Sequence, residues 1–170
     1  MKSTTKIHLR ISLVALALVL CAAARLLYAT GSFSNGLSSG LDYFKGSWVV
    51  RIRSDPKQIY KWTVREDQKG KWMTGVIEKD GERVSTDFWR VNDDRIERFA
   101  FTANGAFVRI EGGGWESNKL ILTGITSGQA GETKIRETIT RVNEREFHAL
   151  WERENADGKW TTFSDEVCTR

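Results

Sequence analysis

From Trp48 to Cys168 the chain alternates apolar and polar positions in short runs, each closed by a turn signal. A period of two over four to eight residues marks a half-buried strand. Ser47 to Arg53 sets Trp48, Val50 and Ile52 on one face and Arg51 and Arg53 on the other. Asp55-Pro56-Lys57 is expected to turn the chain, and Gln58 to Arg65 then groups Tyr60, Trp62 and Val64. Gln68-Lys69-Gly70 turns it again. In the next run Trp72, Thr74 and Val76 oppose Met73, Gly75 and Ile77, so this strand reads as buried on both faces or bent at Gly75. Asp80-Gly81, Asn104-Gly105 and Asp157-Gly158 are hairpin pairs, whose second residue accepts a positive φ.

Val84 to Val91 divides ambiguously, with Val84, Thr86 and Phe88 facing one way and Asp87, Trp89 and Val91 the other. Further on, Gly112-Gly113-Gly114 forms a corner, Lys119 to Thr123 a strand, and Ser127 to Gly131 a longer polar loop. Ile135 and Ile139 share a face, Phe147, Ala149 and Trp151 oppose His148, Leu150 and Glu152, and Trp160 to Cys168 ends the ladder. The count is about ten strands joined by short turns. An open meander of that size leaves two edges that pair with other chains, whereas closure removes them. The expected fold is therefore all-β, an antiparallel up-and-down barrel over 41–170, and such barrels surround cavities that take ligands.

The front of the chain changes the reading of its charge. Lys2, Lys6 and Arg10 precede an apolar run from Ile11 to Ala24, with Ala22-Ala23-Ala24 and Ala29 as small residues for cleavage. This is the pattern of a secretory signal over 1–29, with an uncleaved anchor as the alternative. Thr30 to Gly40, rich in Gly and Ser, reads as a flexible linker. The whole chain carries a net charge of +4, but four of its 26 basic residues and none of its 22 acidic ones fall in the first 29, leaving 22 against 22. A nucleic-acid partner is thus not expected, and a membrane is expected only through the front segment if it stays attached. The protein is expected to be secreted or periplasmic.

Leu41-Asp42-Tyr43-Phe44 brings back bulky apolar groups and reads as a segment folding across one barrel end, or as a helical turn packed outside. Gly46-Ser47-Trp48 resembles the Gly-x-Trp signature of the first strand in the lipocalin and calycin superfamily. Leu41 to Trp48, Gly114-Trp115-Glu116, Arg136-Glu137-Thr138-Ile139-Thr140-Arg141 and Val167-Cys168-Thr169-Arg170 are similar to the bacterial DUF1579-type calycin-like domains. The resemblance covers about residues 41–170 and implies a small secreted barrel without an assigned catalytic residue. It also implies that Trp48 plugs the barrel floor beneath a basic side chain from a late strand, for which Arg141 is the candidate.

Candidate chemistry lies inside the barrel. Trp48, Tyr60, Trp62, Phe88, Phe147 and Trp151 are expected to build an apolar ligand wall. Glu137 shares parity with Ile135 and Ile139, so it is expected inside, where a carboxylate needs a partner such as Arg98 or Arg90, or a ligand. Glu137, Arg98 and Arg141 are the candidate polar anchors. His148 is the late-strand His that haem-binding nitrobindin barrels would use, but its parity with Glu152 points it outward. With one His and one Cys left after the front segment, no zinc site is expected, nor any other cofactor. Cys168 is expected to be a buried free thiol. The carboxylate pairs Glu66-Asp67 and Asp93-Asp94 are turn charges, since strand neighbours face opposite ways.

These residues point first to a carrier of a small apolar or amphipathic molecule. A protein-binding or inhibitor module working through Ser127 to Gly131 and Gly112-Gly113-Gly114 is a second possibility. A third is an isomerase or hydrolase with Glu137 as general base.

Overall fold

Turn chemistry brings successive strands together as neighbours. Asp80 and Gly81 both take positive φ (53° and 84°), the geometry of a two-residue hairpin turn whose twist matches the flanking strands. Gly105 and Gly158 supply positive φ (83° and 77°) in the longer hairpins. The computed structural model describes residues 40–170 apart from Lys69, Gly70, Asp93 and Ala130. The expected signal segment and nearly all of the linker lie outside the described residues, as do parts of two expected turns.

The strands are β1 (Gly46–Ile52), β2 (Asp55–Asp67), β3 (Trp72–Lys79), β4 (Glu82–Asn92), β5 (Arg95–Thr102), β6 (Phe107–Gly112), β7 (Lys119–Gly128), β8 (Gly131–Asn143), β9 (Glu146–Glu154) and β10 (Trp160–Thr169). Each pairs with the next in antiparallel fashion, and β10 returns to β1 with Val50 opposite Cys168, so the sheet is a closed ten-stranded up-and-down barrel. Closure leaves no edge. Because turns alternate between ends, the start of β1 and the end of β10 lie at the same end.

Three local expectations are corrected. The first hairpin turns at Arg53 and Ser54, with Ile52 opposite Asp55, so Pro56 lies inside β2. The register jumps there from Arg51–Ile59 to Ile52–Asp55, a bulge that tolerates a residue without an N–H. Ser127 to Gly131 is no long loop, because β7 and β8 pair as far as Gly128 and Gly131. Gly112 ends β6 at the opposite end of the barrel from that hairpin, so the two segments suggested for partner binding share no surface.

A second bulge decides which side chains enter the barrel. Along β10, Thr162 pairs with Glu152 but Ser164 pairs with Trp151, leaving Phe163 as the extra residue. One inserted residue exchanges the two faces of everything beyond it. Ser164, Glu166 and Cys168 thereby join the inward side of Trp151, Ala149 and Phe147.

Candidate functional site

The inward positions fall into three levels. At the floor, a one-turn 3-10 helix (Leu41–Phe44) places Leu41, Tyr43 and Phe44 in the core. Phe44 packs against Trp62, Trp89, Trp115 and Phe147 at ring-centroid separations of 5.3–5.8 Å. Its carbonyl accepts the Trp48 indole N–H at 2.8 Å. The segment is thus a helical turn and also closes the end. Trp48 is fully buried there, but the cation over it is Arg170, at 4.3 Å, and not Arg141. Arg141 lies between the rings of Tyr43 and Trp115, at 4.0 and 4.3 Å, with its Nε buried and held by no acceptor among the described residues. Arg170 reaches Trp48 because the carbonyls of Lys45 and Glu144 fix its guanidinium. Trp48, Phe147 and Arg141 therefore serve this plug.

The middle level is a belt of buried charge. Arg98 on β5 donates from Nε and Nη2 to Asp87 Oδ2 (3.1 and 2.8 Å) and from Nη1 to both oxygens of Glu137 (2.6 Å each). Asp87 also accepts the indole N–H groups of Trp62 (3.3 Å) and Trp89 (2.9 Å). The guanidinium stacks on Trp89 at 4.4 Å and Trp151 at 5.2 Å. Such pairing is what a charge needs when it leaves water. Burial works against the Arg98 charge, but the carboxylates of Glu137 and Asp87 outweigh it and hold the group protonated more firmly than usual. Burial also pushes the Glu137 carboxyl up, against the pull of Arg98. Gly75 provides the space for this belt. A Cβ there would stand 1.8 Å from Asp87 Oδ1 and 2.4 Å from Trp62 Nε1.

The upper level is open. The inward side chains of Tyr60, Ile77, Val108, Trp151, Ser164 and Glu166 are half-buried, while those of the floor are buried. This half-buried ring of inward side chains above the belt is called the cup. Glu166 is the unusual member. Crowding by the barrel wall raises its carboxyl to about 7, a Ser164 hydrogen bond lowers it, and the nearby Glu137 charge raises it further. Its solvent exposure is nonetheless intermediate, so it is a recessed group that water still reaches. Ser164 Oγ donates to Glu166 Oε1 at 2.9 Å and is the one side-chain donor to that carboxylate among the described residues.

Of the expected site residues, Tyr60 and Trp151 line the cup, and Trp62, Arg98 and Glu137 build the belt. Phe88 does neither. On β4 it is Asp87 and Trp89 that point inward, and Phe88 joins Trp72, Phe99 and Phe101 along a shallow groove of about 450 Å³ on the outer wall. Phe101 there is 53% exposed and packs on Phe107 at 5.1 Å. This outward aromatic stripe made the Phe88 face of β4 look like the core face. His148 lies on the outer side, between Arg53 (3.0 Å) and Glu146 (3.0 Å). Cys168 is free and buried, and burial raises its thiol well above the ordinary value. No group of three or more potential metal ligands occurs among the described residues.

Sequence reasoning missed Asp87, Gly75, Ser164 and Glu166. Glu166 was within reach, since it lies two residues from Cys168 and shares its face. Asp87 was hidden by the more apolar Val84-Thr86-Phe88 face. No protein-family model matches this chain, and no curated protein matches it.

Proposed function

We propose that the barrel is a secreted or periplasmic carrier that holds a small apolar or amphipathic molecule in the cup, in the manner of the calycin-like domains it resembles. The carrying observation is the contrast in burial along one set of strands. The floor is sealed by aromatic rings, whereas the upper inward positions stay half-buried around a recessed carboxyl. A concave, mostly apolar lining with a few convergent polar groups is the usual form of a small-molecule site. The test is native mass spectrometry on protein purified without detergent. A bound species of a few hundred daltons, lost in folded Tyr60→Ala and Trp151→Ala variants, is expected. An unliganded mass combined with no uptake of an apolar fluorescent probe would overturn the reading.

A catalytic form of this reading uses Glu166 in place of Glu137. Both Glu137 oxygens are taken by Arg98, while Glu166 is reachable and titrates where a general base operates. Loss of turnover in Glu166→Gln with Glu137→Gln still active would support it; the reverse result would remove it.

A further inference from the structure

The cup contains more acceptor than donor. Arg98 directs its hydrogen bonds to Asp87 and Glu137, and none of them reaches Glu166 among the described residues. Around the belt three carboxylates (Asp87, Glu137, Glu166) lie near the single buried guanidinium of Arg98, which pairs with only the first two. Ser164 occupies Glu166 Oε1, and Oε2 has no side-chain donor among the described residues. A carboxylate offers about four lone-pair sites, so most of its capacity faces the cup. Trp151, opposite Ser164, and Tyr60, opposite Val50, lie on the same inward face of neighbouring strands and supply apolar surface.

We propose that the cup selects amphipathic amines, with the ammonium head on Glu166 and the apolar body against Trp151, Tyr60 and Ile77. This rests on the carrier reading and adds the ligand class. Every element around Glu166 is consistent with it. β1 and β9 place Ile52 and Ala149 directly opposite, neither of them charged. The charges that reach it are Glu137 from β8, Arg98 from β5 and Asp165 from β10, with Asp87 from β4 behind Arg98. Asp165, its chain neighbour, points to the other face and pairs with Arg53 at 3.1 Å. Two cations flank the mouth, Lys79 above the Tyr60 ring at 5.6 Å and the exposed Arg153 opposite Ile135. They meet water, where screening over about 8 Å weakens them. The recessed carboxylate is screened much less.

An ammonium favours the ionised form of Glu166, so amine affinity rises with pH through about 7. Ionisation of the group rises steeply between pH 5.5 and pH 8, so binding is expected to tighten by on the order of tenfold over that span. The experiment is titration calorimetry of the full chain with octylamine, 1-octanol and octanoate at both pH values. Octylamine is expected to bind at least about tenfold tighter than either analogue at pH 8 and to tighten with pH. Glu166→Gln is expected to remove the preference and the pH dependence while 1-octanol still binds, which also reports an intact barrel. Equal binding of the three probes, or octylamine binding that ignores pH and Glu166→Gln, overturns amine selection and leaves the carrier reading standing. No binding of any probe to the native protein overturns both.

Discussion

The two ends of this barrel are built from the same ten strands and differ in almost everything else. At the floor, aromatic rings interlock and the cations Arg141 and Arg170 sit over ring faces. At the mouth, the same strands end in half-buried side chains around a carboxyl that titrates near neutrality. Tight packing and solvent access are thus divided lengthwise. The belt of Asp87, Arg98 and Glu137 is the partition, contacted by Trp62 and Trp89 from the floor side and by Trp151 from the cup side.

The sharpest way to break this division is to remove the partition. Arg98→Met leaves two buried carboxylates without their counter-charge, and a loss of about 3–5 kcal/mol is expected in urea denaturation. Adding Glu137→Met should restore part of it, because Asp87 keeps its two indole donors. Next comes a paired truncation. Phe44→Ala at the floor should cost about 3–5 kcal/mol. Tyr60→Ala at the mouth should cost about 1–2 kcal/mol and show mainly in ligand uptake. Equal losses would mean that the cup is as packed as the plug. Gly75→Ala should cost about 1–3 kcal/mol, since its new methyl falls on Asp87 and Trp62. Gly113→Ala, whose Cβ meets nothing within 4 Å, is the neutral control.

The most specific effect is on the pH dependence of stability. Glu166 holds its proton more tightly in the folded barrel, where it titrates at about 7, than in the unfolded chain near 4.5. The folded state therefore binds more protons over that window, and stability falls as pH rises through it. Glu166→Gln should match the native protein near pH 4 and exceed it by about 1–3 kcal/mol at pH 8. Parallel stability curves for the two proteins would show that Glu166 is not recessed as described.

The difference between the ends also explains what could be read in advance. Ten strands, their closure and the inward Glu137 follow from period-two alternation and hairpin residues, which are local signals. The need for a partner follows too, but the sequence left Arg98, Arg90 and a ligand open, and it is Arg98 that pairs while Arg90 turns to Glu97. What failed were parity assignments on strands with two apolar faces. Phe88 and Trp89 compete for the core on β4, and burial of Asp87 by two indoles and an arginine is a tertiary matter. The bulge at Phe163 likewise leaves no clear mark in the alternation, so the inward face of Ser164 and Glu166 is legible only backwards from the buried Cys168. Arg170, two residues beyond Cys168, reached Trp48 through backbone carbonyls on other segments, which no spacing rule encodes.

The even number of strands has a practical side. Since β1 starts and β10 ends at the floor, a linker joined to Arg170 leaves from beneath the plug, on the side away from the mouth. A protein held to a sensor chip through Arg170 would turn the barrel end opposite the plug toward the flowing solution. The same linker would tug on a guanidinium that covers Trp48, so a spacer of several residues after Arg170 is the sensible geometry.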